Sequence, residues 1–351
     1  MRVGRFLRGL LPDCDPQPDE TATSKGRLKQ VVGYVVGLAV IAILVYLGGP
    51  KAIEATIRPD IGYLIGSFLA NLLMLAISST RWGYIVNNMV GTKVCSYWRY
   101  FHFFISGRFL GQYISRAGGD FLLRPGLLNR LEGVSLSKGI SASLLDKAFD
   151  LTLIALLIIP SALHLLDVVT GVVAIGTVAV LLVSLAVLLL WKGSTLTTVL
   201  QSVLYRMHSL VSRIPLLRRI ATEKRLRSIR NLEKLELLEW KSLLVILGLT
   251  LTRYLMVISR LYLLVLAIGL SIPLSVLLPG IIVAQSSLIF AFTPGALGIL
   301  EGGWYMVLSA AGVPQVDRTT FLIGQRVYWF IFTTLIFLVV YLATGAKWLK
   351  R

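Results

Sequence analysis

The chain has 351 residues, of which 56% are hydrophobic and only 15% charged, with a mean hydropathy of +0.79. A soluble domain carries about 25% charged residues, so the composition excludes a soluble fold and indicates an integral membrane protein. The formal net charge of +18, from 35 Lys and Arg against 17 Asp and Glu, does not point to nucleic acid here. The basic residues lie between long apolar runs, as they do in the cytoplasmic loops of membrane proteins.

Residues 1–30 read as a polar cytoplasmic tail. Arg8 and Pro12 interrupt the opening apolar run, so no h-region of a cleavable signal forms. Asp13-Cys-Asp15 has the spacing of a glycosyltransferase metal motif but sits in this Pro-containing tail with no nucleotide-binding fold around it. Cys14 and Cys95 are the only cysteines and His102, His164 and His208 the only histidines; no metal-ligand cluster results, and neither a metal nor another cofactor is expected.

A membrane-spanning helix needs about 20 apolar residues. Six runs meet that length in chain order: Val31–Gly49, Ile61–Thr80 (stopped by Arg81-Trp82), Gly139–Pro160, Val168–Trp191, Ser242–Gly269 and Leu322–Ala346. Lys51-x6-Arg58-Pro59, after the first run, matches the opening of a lipid phosphatase motif, but the histidines that chemistry needs are missing. No P-loop, GxGxxG or HExxH occurs, and no enzyme activity is expected.

Two further stretches, 97–126 and 273–312, are apolar but broken. The first holds Arg99, Arg108, Arg116, Asp120, Arg124 and the pair Gly118-Gly119. The second holds Pro279-Gly280, the run from Phe292 through Pro294, Gly295 and Gly298, and Glu301-Gly-Gly303. Pro removes a backbone donor and Gly weakens helices, and broken backbone at membrane depth survives only against protein or a water-filled cavity. Charge favours one count of crossings over the runner-up, eight full spans, which would place one basic segment on the wrong side. The segment 192–241 carries eleven Lys and Arg against four Glu, so it and both termini belong on the cytoplasmic side. An even number of crossings from Lys29 to Lys192 then requires 97–126 to enter and return on the cytoplasmic side, and 273–312 to do so from outside. The expected fold is all-α and polytopic: about six full spans plus two oppositely inserted re-entrant hairpins, in two halves (31–191 and 242–351) joined by the basic loop 192–241. Inverted-repeat transporters share this layout and bind substrate near the midplane.

Ionisable groups inside a span are functional candidates, because they are costly there. Arg108, Gln112, Arg116, Asp120 and Arg124 repeat every four residues and share one face of an unbroken helix. Asp146 and Asp150 face one way on the next helix, with Lys147 placed to pair with Asp150. Arg253 and Arg260, seven apart, join Arg326 as guanidinium groups suited to phosphate. Glu301 is the only charge between Arg260 and Asp317 and is placed to balance one of these arginines.

The motifs Arg116-Ala-Gly-Gly-Asp120-x3-Arg124-Pro-Gly-Leu-Leu128, Leu144-Leu-Asp-Lys-Ala-Phe-Asp150, Thr293-Pro-Gly-Ala-Leu-Gly-Ile-Leu-Glu301-Gly and Gly312-Val-Pro314, followed by Arg326, resemble the lysylphosphatidylglycerol synthase transmembrane-region family over about residues 31–346. That family, also called flippase-like, includes the membrane half of the multiple peptide resistance factors and the membrane region of some archaeal glycosyltransferases. The resemblance implies a lipid translocase of the inner (plasma) membrane. Its cargo would be a modified phospholipid, anionic or aminoacylated, or a polyprenyl-phosphate-linked lipid; a lipid-modifying enzyme is the implied partner. The alternative is a membrane subunit or enzyme acting on a lipid-linked substrate with a glycosyltransferase or lipid synthase. The resemblance singles out Asp120, Arg124, Asp150, Glu301 and Arg326. The expected headgroup site is Arg116, Asp120, Arg124, Asp146, Asp150, Arg253, Arg260, Glu301 and Arg326, with Gly118, Gly119, Pro294, Gly295 and Gly298 breaking the backbone. The chain ends at Arg351 without the aminoacyl-transfer domain of fused members, so synthase activity is not expected.

Overall fold

The long apolar runs fold as the hydrocarbon layer demands, with backbone groups satisfied inside each segment. The computed structural model describes residues 42–43, 46, 48–113, 118–191, 240–287 and 296–348, and among these the regular structure is helical throughout. The expected first span Val31–Gly49 lies almost entirely outside the described residues, as do the tail 1–30 and all of the basic loop except Trp240 and Lys241.

Among the described residues, a helical stretch at 48–57 is followed by nine α-helices. They are α1 (Ile61–Val90), α2 (Tyr97–Tyr113), α3 (Arg124–Glu132, entered through a π-helical turn at Gly119–Leu123), α4 (Leu136–Leu165) and α5 (Gly171–Trp191). Then come α6 (Trp240–Ala267), α7 (Leu274–Ser286), α8 (Ile299–Ala310) and α9 (Gln315–Trp348). Five of them, α1, α4, α5, α6 and α9, are long and apolar enough to cross a membrane. The protein is an all-α polytopic membrane protein. Leu69, Leu73, Val172, Ile175 and Leu342 are exposed on its outside, where hydrocarbon solvates them; on a soluble monomer so extended an apolar surface would drive association.

Several ends differ from those read in the sequence. The main correction is α1, which does not stop at Arg81. It begins at Asp60, whose carboxylate accepts the N–H groups of Gly62 (2.8 Å) and Tyr63 (3.1 Å), and runs to Gly91, which caps it at φ 86°. Arg81 continues the helix because carboxylates on a neighbouring helix neutralise it. Pro160, expected as an end, lies inside α4.

α1 and α6 form the most extensive pairing and run antiparallel. Tyr84 donates to Ser242 at one end of the bundle, and Asp60 N–H donates to Ala267 O at the other. Around this pair the two broken stretches form helical hairpins. In the first, contacts between Arg99 and Glu132 (2.7 Å), between Arg124 and Phe104, and between Gly119 and Gly107 show α2 antiparallel to the 119–132 segment. In the second, Gly280 lies against Trp304 and Val307, and Gly303 against Ala284 and Ser287. Their helices of 17, 9, 13 and 12 residues rise about 1.5 Å per residue, which leaves all four short of a 30 Å layer.

The hairpins start from opposite ends of the bundle. The first opens where Asn87, near the end of α1, accepts the Tyr100 hydroxyl and the Val94 N–H. The second opens just after Ala267, beside Asp60. Small residues allow the close packing inside each. A Cβ on Gly119 would stand 3.0 Å from the Gly111 backbone, and one on Gly280 would stand 2.8 Å from the Trp304 ring. Gly119 is therefore needed for close approach of the two arms. Gly118, paired with it in sequence, is helical.

Candidate functional site

The interior charges gather into two sets. The larger is built on Arg81, 1% exposed in the middle of α1. Its Nε donates to Asp146 Oδ1 at 2.7 Å, and its Nη1 donates to Asp150 Oδ1 and to Thr250 Oγ1, each at 2.8 Å. Asp146 and Asp150 are one turn apart on α4, so one guanidinium fork reaches both. Arg253 on α6 also donates to Asp150 Oδ1, at 2.8 Å. The first hairpin joins through Arg124, which pairs with Asp120, lies 3.9 Å from Asp146, and rests its guanidinium 4.5 Å from the Phe104 ring centroid. Lys147 closes the set, 2.9 Å from Asp120 and 3.9 Å from Asp150. Four cations thus meet three carboxylates across α1, the first hairpin, α4 and α6. Burial without such pairing would cost several kcal/mol per ion.

The smaller set is Glu301 with Arg326. Arg326 Nε donates to Glu301 Oε1 at 2.6 Å, while Glu301 Oε2 accepts the Gly298 N–H at 2.8 Å. Glu301 therefore caps α8 at its own N-terminus and neutralises an arginine of α9. Glu301 was placed to balance one of three arginines; its partner is Arg326.

A small, partly open cleft lies where the hairpins meet α9. Gly107, Arg108, Gly111, Gln112 and Asp120 line it from the first hairpin, Ala296 and Leu300 from the second, and Arg326 and Trp329 from α9. Arg326 is eleven residues into α9, roughly 16 Å from its start. Its lining combines the polar side chains of Arg108, Gln112, Asp120 and Arg326 with Ala296, Leu300 and Trp329.

Of the nine residues expected at a headgroup site, Asp120 and Arg326 line the cleft and Glu301 holds Arg326. Arg124, Asp146, Asp150 and Arg253 lie in the buried ion set behind the first hairpin, with their charges engaged by one another. Arg260, 3% exposed, stands with its guanidinium 5.2 Å from the Trp329 ring centroid. Arg116, Pro294 and Gly295 lie outside the described residues. Gly298 takes the positive φ of 83° that starts α8.

A family model described as the lysylphosphatidylglycerol synthase TM region matches residues 31–336. The chain belongs to that family. A UPF0104 membrane protein of Methanothermobacter thermautotrophicus is 24% identical to this family member over 304 residues, covering 84% of this chain and 87% of the relative. No solved structure matches the chain.

Four residues of this family member's interior escaped the sequence reading. Arg81 was read as the end of a span. The signal against that was the apolar Trp82-Gly-Tyr-Ile-Val86 that follows, since a terminal arginine is followed by polar loop. Arg108 and Gln112 were seen as part of a four-residue repeat but not assigned to the site, although that spacing puts them one turn apart on a single wall. Trp329 carried no signal: an aromatic residue in an apolar run is indistinguishable from core.

Proposed function

We propose that the protein is a lipid translocase. The cleft between the two hairpins takes the headgroup of a modified phospholipid or polyprenyl-linked lipid, and the tails stay in the bilayer. The observation that carries this reading is the meeting of two hairpins from opposite ends of the bundle at a cleft lined by Arg108, Gln112, Asp120 and Arg326. A charged headgroup crossing bare hydrocarbon pays a large desolvation penalty. A fixed polar cleft replaces water and lowers that cost. Guanidinium groups suit phosphate because they offer several donors in a planar fork.

In this reading the protein sits in the inner (plasma) membrane with both termini cytoplasmic, as the basic 192–241 segment requires. An enzyme that makes or modifies the lipid, a synthase or glycosyltransferase, is the partner class such cargo implies.

The test is reconstitution of the full chain in liposomes, scored by leaflet accessibility of labelled lipids. Protein-dependent redistribution is expected, and Glu301→Gln should slow it several-fold because Arg326 loses its anchor. Redistribution equal to that of protein-free liposomes for every lipid class, or unchanged in the variant, removes the translocase reading. Conversion of the lipid to a new chemical product would replace it with an enzyme.

A further inference from the structure

The carboxylates at the cleft are already engaged. Asp120 is held by Arg124 and Lys147, and Glu301 by Arg326. Two guanidiniums nearby are not neutralised: among the described residues, no carboxylate lies within 4 Å of Arg108 or of Arg260. Arg108 lines the cleft, 5.5 Å from the Phe104 ring centroid, with its Nε unbonded. Gln112, one turn along the same wall, has a buried amide oxygen without a partner, and its amide presents two donors when turned. Arg260 Nε is likewise unbonded, and its guanidinium rests against Trp329, which is itself cleft wall.

An uncompensated guanidinium inside a membrane protein is costly, and such local costs concentrate at functional sites. Here the missing countercharge is the ligand's. A net-cationic headgroup would bring further positive charge to a wall with no spare carboxylate. Phosphate brings the opposite sign and acceptor oxygens that match a guanidinium fork.

We infer that the cleft selects lipids whose headgroup is net negative, with the charge on phosphate. Arg108 and the Gln112 amide are the direct ligands; Arg260, behind Trp329, is a positioning residue that sets the sign of the site. This inference rests on the translocase reading for the lipid nature of the ligand and narrows its substrate class.

The experiment measures equilibrium binding to the detergent-solubilised full chain by native mass spectrometry. The probes share acyl chains: phosphatidylglycerol as the anionic lipid, phosphatidylcholine as the zwitterionic one and ethylphosphatidylcholine as the cationic one. Phosphatidylglycerol should bind at least about tenfold tighter than phosphatidylcholine, with the cationic lipid weakest. Arg108→Gln and Arg260→Met should each lower that preference about tenfold, phosphatidylglycerol losing more affinity than phosphatidylcholine. Arg260→Lys should restore it, which a purely structural role for the guanidinium would not. Arg260→Met removes an uncompensated charge and should melt no lower than the wild type; should it fail to fold, Arg108→Gln, on the cleft wall, still decides. Equal or tighter binding of the cationic lipid, or wild-type preference in Arg108→Gln, overturns the inference. Inorganic phosphate that displaces phosphatidylglycerol at similar concentration would make the site one for a soluble anion and overturn the lipid assignment. Anionic preference without transport in liposomes would sink the translocase reading alone. Transport without regard to headgroup charge would sink the charge selectivity alone.

Discussion

The two hairpins share a shape but are held by opposite means. The first is clamped by charge: Arg124 and Asp120 tie it to α4 through Asp146 and Lys147, and the same set reaches α1 and α6 through Arg81 and Arg253. The second rests on close apolar contacts at Gly280, Trp304 and Val307, and on the pair Glu301–Arg326 at its tip. A buried, many-partner ion set has strict geometry, because each group leaves a costly orphan if it moves. A packed apolar hairpin with one ion pair at the cleft has fewer such constraints. The contrast suggests a fixed wall opposite a more readily displaced one, and mutations can break or sharpen it.

The largest effect is expected at the clamp. Arg81→Leu leaves Asp146 with Arg124 at 3.9 Å and takes one of two arginines from Asp150, and breaking a buried pair costs about 3–5 kcal/mol. Thermal melting of the purified protein should show the greatest loss for this variant; melting within a degree or two of wild type would mean the set does not clamp the first hairpin.

Overpacking each hairpin gives a paired test. Gly119→Ala drives a methyl group into the backbone of the facing arm, which cannot move aside, and should cost about 1–3 kcal/mol. Gly280→Ala meets side-chain atoms of Trp304 and Val307 and should cost less. The comparison is sharpened if melting temperatures rank in that order and broken if they reverse.

Arg326→Gln should be milder for stability, about 1–2 kcal/mol, because Glu301 keeps its bond to the Gly298 N–H while losing one charged partner. Hydrogen exchange in α8 should rise in this variant with α2 and α3 unchanged. Equal loosening of both hairpins would show that they are not independently held.

The smallest effect concerns Cys95 at the mouth of the first hairpin. Burial, reinforced by the nearby Glu132 carboxylate, pushes its thiol up to about 11. At pH 7.5 it therefore holds on the order of a hundredfold less thiolate than a free cysteine. In a Cys14→Ala background, maleimide labelling of the folded protein should be slow at neutral pH and accelerate toward pH 11; the thiol loses its proton as pH rises, so the sign is fixed. Rapid labelling at pH 7.5 would mean the mouth of the hairpin opens.

Much of the fold was legible because its causes lie along the chain. Long uncharged runs such as Val168–Trp191 must span. The stretches around Gly118-Gly119 and Pro279-Gly280 do form pairs of short helices, although Gly118 is itself helical and Pro279-Gly280, expected as a break, lies inside α7. The ends were less legible. Arg81 in α1 shows why: whether a charge ends a helix depends on what waits across from it. The site was legible by residue type but not by partnership. Asp120, Glu301 and Arg326 stood out as charges in apolar sequence; Asp120 and Arg326 do line the cleft, and Glu301 holds Arg326. Nothing local distinguished Arg253, whose charge Asp150 takes up, from Arg260, which has no carboxylate beside it among the described residues.

By itself, then, the order of residues determined an all-helical membrane protein with two broken hairpins, because hydrocarbon solvation and backbone hydrogen bonding act on each segment alone. Which charges are clamped and which face the cleft was decided only when the helices crossed. Arg81 finds Asp146 and Asp150 from more than sixty residues away, and a charge's environment is a property of the surfaces that close around it.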